Sequence, residues 1–520
     1  MAEIVIINPR FEVSYWGMEN ALSFMGKRAN LPVASLPLLA ALTPGEHTVT
    51  LLDENVEPIN FDRVARADIV GVTGMSVQRF RMKEILGELK QRGVFTVVGG
   101  PLVTVQEDYF EDLGDVIFVG EAEETWPRFL REWAEGRHAT RYEQTEKSDM
   151  TRVPTPRFDM LKMRYYAFGS LQFTRGCPFQ CEFCDIIVTF GRKPRIKTSA
   201  QIIAELDALK KEGVKIAFVV DDNLIGNKRA IKPILADVVA WQQRHGYPLS
   251  LFTEASIDLA DDAELMQLMT DANIIAVFIG IETPNEASLR ETKKFQNVRT
   301  GGTLVEKVHR IQDAGMDVWC GMILGFDNDD ETIFEAQKQF LADARIANSM
   351  TGMLYAIPKT PLHDRLAAEG RLDPSDEPEF GTNVIPLKIG REELRDGYLR
   401  VMNDLYTPEA FFGRLDALII DGKLDMGRGR AHYWRSHPLG FLKWQTIWIV
   451  QSIGLYLRIM TGVPEAHLRR EYRRRFWRLV KKRKDPGLWL YYLIKIAFHY
   501  HAHAMATQMV SGRSAIFNSW

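Results

Sequence analysis

The chain is poor in cysteine, with four in 520 residues. Three of the four are crowded into one loop, and the chain carries no secretory signal, so a disulfide framework does not fit. Met1 to Phe11, MAEIVIINPRF, lacks the basic start and long apolar core of a signal peptide and reads instead as a short strand. The few thiols suit a reducing compartment. Net charge is also scant, −3 overall, but it hides a polarity: residues 431–520 hold 15 Lys+Arg against 3 Asp+Glu, so the remainder balances at −15. What the chain has is length and apolar content. At 520 residues and 46% hydrophobic it exceeds one ordinary domain, and two or three with substantial cores are expected.

The most informative stretch is TRGCPFQCEFCD, Thr174 to Asp185, which holds Cys177, Cys181 and Cys184. Three thiolates spaced CxxxCxxC can ligate three irons of a [4Fe-4S] cluster and leave the fourth iron open to a substrate or cofactor. A structural zinc site wants four protein ligands, and an ordinary ferredoxin cluster wants four cysteines. Cys320, the remaining thiol, lies far off in an apolar run and reads as a small buried hydrophobe. No second cluster is expected.

CxxxCxFC resembles the signature of radical S-adenosylmethionine (SAM) enzymes. The resemblance implies that the open iron chelates SAM through its amino and carboxylate groups. It implies a reductant supplying one electron, cleavage of a C–S bond, and a 5′-deoxyadenosyl radical. It also places Phe183, the aromatic before the last cysteine, near the adenine.

Residues 1–150 alternate apolar runs (EIVIINP, HTVTLLD, DIVGVTGM, FTVVGGP, DVIFVG) with helical patterns, which predicts a doubly wound, Rossmann-like α/β sheet. Ligands of such sheets bind at the carboxyl ends of strands. The candidate loops are Thr73-Gly74-Met75-Ser76, Gly99-Gly100-Pro101 and Gly120-Glu121-Ala122-Glu123. Taken alone they are equally the tight strand-to-helix turns of any α/β domain. Their order, followed by a CxxxCxxC domain, resembles the cobalamin-binding class of radical SAM enzymes. The resemblance makes Thr73, Gly74, Ser76, Gly99, Gly100, Gly120 and Glu121 cofactor-binding candidates. The DxHxxG motif that elsewhere supplies a histidine to cobalt is absent, and His47 does not fit it. Cobalamin is therefore expected without a histidine ligand; the alternative is a degenerate domain that binds no cofactor.

Residues 136–160 are polar and broken by Pro154 and Pro156, which suits a linker. Across 151–365, six strand-helix units suggest a partial (β/α)6 barrel with functional side chains at the carboxyl ends of its strands. Asp221, Asp222 and Asn223 end the second strand, Glu254 and Ser256 lie in the third, and Glu282 and Thr283 end the fourth. A carboxylate in an apolar strand is costly unless it is paired or liganded. By resemblance, Glu254 and Glu282 fall where family members contact SAM. Asp222 and Asn223 replace a more usual GGE-type turn, with helix capping as their bland reading. Arg290, Lys293 and Lys294 follow the fourth strand; one of them could reach the SAM carboxylate, but a solvated helix face is the favoured reading. Gly325 suits close approach to the adenosyl group.

Residues 366–520 form a mostly helical C-terminal region. Residues 366–390 are expected to loop away from the barrel, followed by a helix, a break at Pro408, and another helix. FLKWQTIWIVQSIGLYLRIM is interrupted by Lys443, Gln445, Gln451 and Ser452, too often for a span of roughly 20 apolar residues. The basic run HLRREYRRRFWRLVKKRK follows, then the apolar LWLYYLIKIAFHYHAHAMA. Six of the eleven tryptophans fall in 431–520. The leading reading is peripheral contact with a membrane surface on its cytoplasmic, inner face. The alternative is a helical cap on the barrel. No module accompanies the charge, so nucleic acid is not expected. His499 and His503 share a helical face but lack a third ligand.

Cobalamin together with SAM implies radical methylation of an unactivated carbon. SAM would methylate cobalt, a second SAM would yield the hydrogen-abstracting radical, and the substrate radical would take the methyl group. RGCPFQCEFCDI, FVVDDNLIGN, GIETP, YAIPKTPL and the basic aromatic tail together are similar to the hopanoid C-2 methylase group. That implies a small-molecule or lipid substrate such as a hopanoid. The alternatives are a tetrapyrrole substrate, or lipid C–C bond formation or cyclisation without net methylation.

Overall fold

The computed structural model describes residues 1–15, 17–110, 112–298, 301–373, 375, 381–514 and 516. The first sheet comprises β1 (Glu3–Asn8), β2 (Thr48–Asp53), β3 (Ile69–Thr73), β4 (Thr96–Gly99), β5 (Val116–Gly120) and β6 (Arg141–Gln144). All six pair in parallel in the order β2-β1-β3-β4-β5-β6. The order reverses at β1, as in doubly wound folds. The strands are buried on both faces because helices cover both sides: Val70, Val72 and Val98 join one core with Met82, Ile85 and Leu86, while Ile4, Ile6 and Val97 join another with Trp126 and Phe129. One expectation fails here. Residues 136–160 are not merely a linker, since β6 falls among them. Its short alternating pattern, Tyr142 and Gln144 inward, is edge-strand patterning that a polar composition conceals.

The second sheet runs β7 (Gly169–Leu171), β10 (Ile216–Val219), β11 (Ser250–Glu254), β12 (Ile274–Glu282), β13 (Asp317–Leu324) and β14 (Ser349–Met353), parallel and in sequential order, as in a partial (β/α)6 barrel. Between its first two strands a small ribbon, β8 (Thr174–Arg175) with β9 (Arg195–Ile196), pairs antiparallel and brackets the cysteine loop. Helix starts follow local chemistry. Thr198 and Gln201 form a capping box for Ser199–Lys211, Asn227 caps Lys228–His245, and Thr303 with Glu306 caps Leu304–Asp313.

Residues 366–390 do not loop away. The described part folds back on the end of β14, where Ala356 N donates to Asn383 Oδ1 (2.8 Å) and Asn383 Nδ2 to Ala356 O (2.9 Å). The helices Arg391–Leu405 and Pro408–Asp416 break at Pro408 as expected.

The last ninety residues separate into unlike parts. The terminal helix Pro486–Val510 is an interior element, with Tyr492, Leu493, Ile496, Phe498, Ala502 and Met505 buried around its circumference. A helix apolar all round must be buried. Phe498 meets Trp319 of β13 edge-on at 5.6 Å, and Lys495 pairs with Asp317 Oδ2 (2.6 Å) and Asn348 Oδ1 (2.5 Å) at the start of the last two strands. The cap reading therefore holds for this helix, and it does not face a membrane. His499 and His503 stack at 5.7 Å and are engaged by Tyr472 OH and Tyr406 O respectively. The helix Pro438–Gly462 lies against the terminal helix on one side only, and the basic helix Ala466–Lys482 packs beside both. Among the described residues no helix is long and apolar enough to cross a membrane.

Candidate active site

The cysteine loop leaves β8 through Gly176, whose φ of +93° a side chain would resist and whose Cβ would meet Lys193 O at 2.9 Å. Asp222 Oδ2 accepts from Gly176 N at 2.5 Å, so the carboxylate after β10 clamps the loop's first turn. Asn223 Nδ2 reaches Cys177 Sγ (3.9 Å) and Ser256 Oγ (3.1 Å), and Gln296 Nε2 donates to Cys181 Sγ (3.5 Å). The expected alternative role for Asp222 and Asn223, capping the next helix, belongs to Asn227 instead. Burial pushes the Cys184 thiol far above its usual range, with Asp185 and the other cysteines adding to the effect, and burial raises Cys177 as well. Thiols so placed become thiolates only with a cation among them, and iron supplies it. Amide donors aimed at two of the sulfurs are what cluster thiolates accept. The donor set fits a cluster bound by Cys177, Cys181 and Cys184.

Beside the thiols stands a group of acids. Burial, then repulsion from Asp222 and Asp221, pushes Glu254 up to about 8. Burial likewise raises Asp221 to about 7 and Asp222 to about 6. Asp221 Oδ1 accepts from Phe173 N, whereas Oδ2 is buried without a hydrogen-bond partner. A cluster of carboxylates this short of cations fits a ligand with ammonium and sulfonium groups, as SAM has.

Glu282 is placed by an irregularity. The β12–β13 register shifts between Gly280 and Glu282, and Glu282 itself has φ +67°. A bulge re-aims a side chain, and a non-glycine residue holds positive φ only when its surroundings enforce it. Here the enforcing contact is Lys294 Nζ, 2.6 Å from Glu282 Oε1. Lys294 was expected on a solvated face, yet it is inward, 5.7 Å from the centre of the Phe183 ring. Its neighbours behave as expected of a surface: Arg290 pairs with Glu286, and Lys293 with Glu182. Phe183 packs 6.1 Å from Phe326, just past Gly325. Gly325 has φ +100°, and a Cβ there would strike Leu394 at 2.6 Å, so packing against the helix Arg391–Leu405 already accounts for the glycine. Cys320 is fully buried and its thiol is pushed up to about 12, first by burial.

In the first domain the three loops meet at the carboxyl edge of β3, β4 and β5. Gly100, at φ +105°, has Thr73 Oγ1 and Gly74 O and N within 2.9 Å of where a Cβ would sit. Gly74 is closed off by Met82, Gly99 by Phe118, and Gly120 (φ +85°) by Gln144 O. Their smallness is thus a packing requirement between loops. Ser76 opens a short 3-10 turn, its carbonyl accepting from Arg79. Glu121 departs most from expectation. It is buried and held by Arg175 (2.7 Å) and Arg195 (2.9 Å) of the second domain. Burial alone would raise it, but the two guanidinium groups hold it below the usual carboxylate range. His47 precedes β2, at the opposite end of the sheet from these loops. The edge that receives ligands in doubly wound sheets therefore faces the cysteine loop, which fits a cofactor held between the two domains.

Sequence reasoning does not single out Arg175, Arg195, Gln296 or Lys359, and it favours a solvated face for Lys294. Arg175 left a signal, a charge inside the strand-like LQFTR; the others sit in loops or short helices whose facing a pattern cannot give.

A fold of this kind, with three thiols of a CxxxCxxC loop opening toward a ligand-binding edge, defines a radical SAM enzyme with a second, cofactor-holding domain. Comparison with known proteins agrees. Residues 30–130 match the B12 binding domain, 171–339 the radical SAM superfamily, and 360–515 a domain of unknown function, DUF4070. The chain is 40% identical to an uncharacterized methyltransferase of Synechocystis over 79% of its own length and 77% of the relative's. It is 31% identical to the hopanoid C-2 methylase of Rhodopseudomonas palustris, over 93% and 90%. Among solved structures it resembles the cobalamin-dependent SAM radical enzyme OxsB with aqua-cobalamin and SAM bound (TM-score 0.59, 13% identity, 100% of this chain and 82% of that one). The chain belongs to the cobalamin-dependent radical SAM methyltransferases, and its cofactors are a [4Fe-4S] cluster, SAM and cobalamin.

Proposed function

We propose that the enzyme methylates an unactivated carbon of a lipid, a hopanoid or similar polycyclic isoprenoid, while resting on the inner face of a membrane. When bound, the cluster with SAM supplies a hydrogen-abstracting radical and cobalamin supplies the methyl group. The chain's own part is placement. Cys177, Cys181 and Cys184 hold the cluster, with Asn223 and Gln296 orienting two of the thiolates. Glu254 and Glu282 bind the cationic part of SAM, Lys294 holds Glu282 in place through their ion pair, and Phe183 packs against the adenine. The loops at Thr73, Gly74, Ser76, Gly99, Gly100 and Gly120 cradle cobalamin.

The observation that carries the lipid reading is the outer face of the helix Pro438–Gly462. Leu439, Leu442, Val450, Ile453 and Leu457 recur at helical spacing, and each is more than half exposed. Trp477 of the basic helix is half-exposed and lies against Tyr456, between exposed Arg473, Arg474 and Lys481. An apolar stripe about 27 Å long, from Leu439 to Leu457 on a helix of 25 residues, with tryptophan and arginine along its border, suits the interface of an anionic bilayer. The hopanoid C-2 methylase similarity, which runs through this tail, supports the same substrate class.

The test is comparative lipid mass spectrometry of cells with and without the protein. A lipid gaining one methyl group is the expected result; a methylated tetrapyrrole, or a joined or cyclised lipid without a new methyl group, would overturn it. Flotation of the whole protein with vesicles containing phosphatidylglycerol tests the surface. V450D/I453D should fail to float, and equal flotation of that variant would remove the membrane reading.

A further inference from the structure

Two charged residues of the β5 loop leave the first domain and enter the second. Arg175 Nη1 donates to Glu121 Oε1 and Glu123 Oε1, each at 2.7 Å. Arg195 donates to both oxygens of Glu121 (2.9 and 3.0 Å) and to Ser148 O (2.6 Å). Ser148 closes the network from the linker, its N–H on Glu121 Oε2 (2.6 Å) and its hydroxyl on Glu123 Oε2 (2.8 Å). The side chains of Arg175, Glu121 and Glu123 are all at least nine-tenths buried. Taking three charges out of water is expensive and seldom the cheapest way to hold two domains together. Such an arrangement does fix register and orientation.

Each end of the network is one residue from a cofactor loop. Arg175 precedes Gly176 and Cys177, and Gly176 N is itself held by Asp222. Glu121 follows Gly120, whose N–H donates to Thr104 Oγ1 (3.0 Å) on the short helix that Gly100 begins. Thr104 O accepts from Lys359 Nζ (2.8 Å), at the mouth of the second sheet beyond β14. A path of polar contacts, buried at Arg175, Glu121 and Thr104, thus joins the cysteine loop to two of the three loops proposed above to hold cobalamin.

We propose that Arg175 is a positioning residue that couples the two cofactor sites: ordering the cysteine loop around its cluster orders the Gly120–Glu124 loop, so each cofactor strengthens the binding of the other. Coupling between binding sites is reciprocal and ordinarily amounts to five-fold or more. The consequence is an enzyme that does not assemble its radical-generating centre next to an unfilled or misaligned methyl donor.

The experiment measures the affinity of the full-length protein for hydroxocobalamin by equilibrium dialysis under anaerobic conditions, before and after cluster reconstitution with iron and sulfide. In the unaltered protein, reconstitution should tighten cobalamin binding about tenfold. In Arg175→Met the gain should fall to nearly one, and hydrogen exchange of the peptide covering Gly120–Glu124 should no longer slow when the cluster forms. If R175M does not fold, E123Q, which removes one arm of the network and leaves Arg195 on Glu121, should show a reduced gain. The proposal is overturned if the unaltered protein shows no gain, or if R175M (or E123Q in its place) keeps all of it.

Discussion

Lys294 Nζ lies 2.6 Å from Glu282 Oε1 and 5.7 Å from the centre of the Phe183 ring, and the pair occupies space that Gly280 leaves open, since a Cβ on Gly280 would meet both groups within 2.7 Å. Lys294 is held charged there by Glu282 and the cysteines despite its burial. Lys294→Met should leave Glu282 buried without its ion-pair partner, so that the carboxylate is no longer held in place for a sulfonium ligand. Isothermal titration of the cluster-loaded protein with SAM should show at least tenfold weaker binding, about 1.4 kcal/mol. Lys294→Arg should recover most of it.

The thiols should divide cleanly by position. Cys181→Ala should abolish the iron-sulfur absorbance on reconstitution and all cleavage of SAM to 5′-deoxyadenosine. Cys320, whose sulfur meets Ser349 Oγ at 3.7 Å, should tolerate Ala with cluster content and cleavage intact. Its loss removes one buried sulfur, a cost of about 1 kcal/mol read from the urea midpoint.

Much of this was legible before any coordinate. The five named apolar runs of the first domain became β1 to β5, because parallel strands covered on both sides advertise themselves as continuous hydrophobic stretches. The cysteine loop was legible because its chemistry is local: three ligands within eight residues. Lys294 was not, because whether a lysine at a short helix's end points in or out depends on Glu282, twelve residues upstream, and on a bulge that no periodicity signals. The ion pairs of Glu121 were hidden for a similar reason. It stands in the right loop for a cofactor contact, and only the approach of Arg175 from another domain reveals its occupation. The terminal helix looked like its neighbour Pro438–Gly462 in composition, and only packing separates a buried apolar helix from an exposed one.

The Lys495–Asp317 pair tests whether the terminal helix is integral. Lys495 is fully buried, and its partners Asp317 and Asn348 lie at the foot of β13 and β14. Lys495→Met should destabilise the protein by roughly 3–5 kcal/mol, because Asp317 is left as an unpaired buried charge. The double variant D317N/K495M should recover at least half of that loss in a denaturant titration. Equal stability of K495M and the unaltered protein would mean that the helix is not seated on the sheet.

His501 provides a pH handle on the same contact. Its ring is fully buried, with Nε2 against Ser14 O and Tyr15 O (each 3.1 Å) and Nδ1 accepting from Asn20 N (3.3 Å), so it joins the terminal helix to the first domain. Burial lowers it from 6.5 to about 4. A folded-state value below the unfolded one means that the unfolded chain takes up the proton first as pH falls. The stability contributed by neutral His501 is therefore complete above about pH 6.5 and declines toward pH 4, by roughly 2 kcal/mol at pH 5. Nearby Glu19, which burial raises to about 7, acts in the opposite direction and would mask this in the unaltered protein alone. Because Glu19 Oε2 lies 3.9 Å from His501 Nε2, the comparison is made in the Glu19→Gln background, between that variant and E19Q/H501Q. The stability advantage of E19Q over E19Q/H501Q, from urea titrations, should shrink by roughly 2 kcal/mol between pH 7 and pH 5. An advantage that stays constant across that interval would show that His501 titrates normally and that the helix-to-domain contact is solvated.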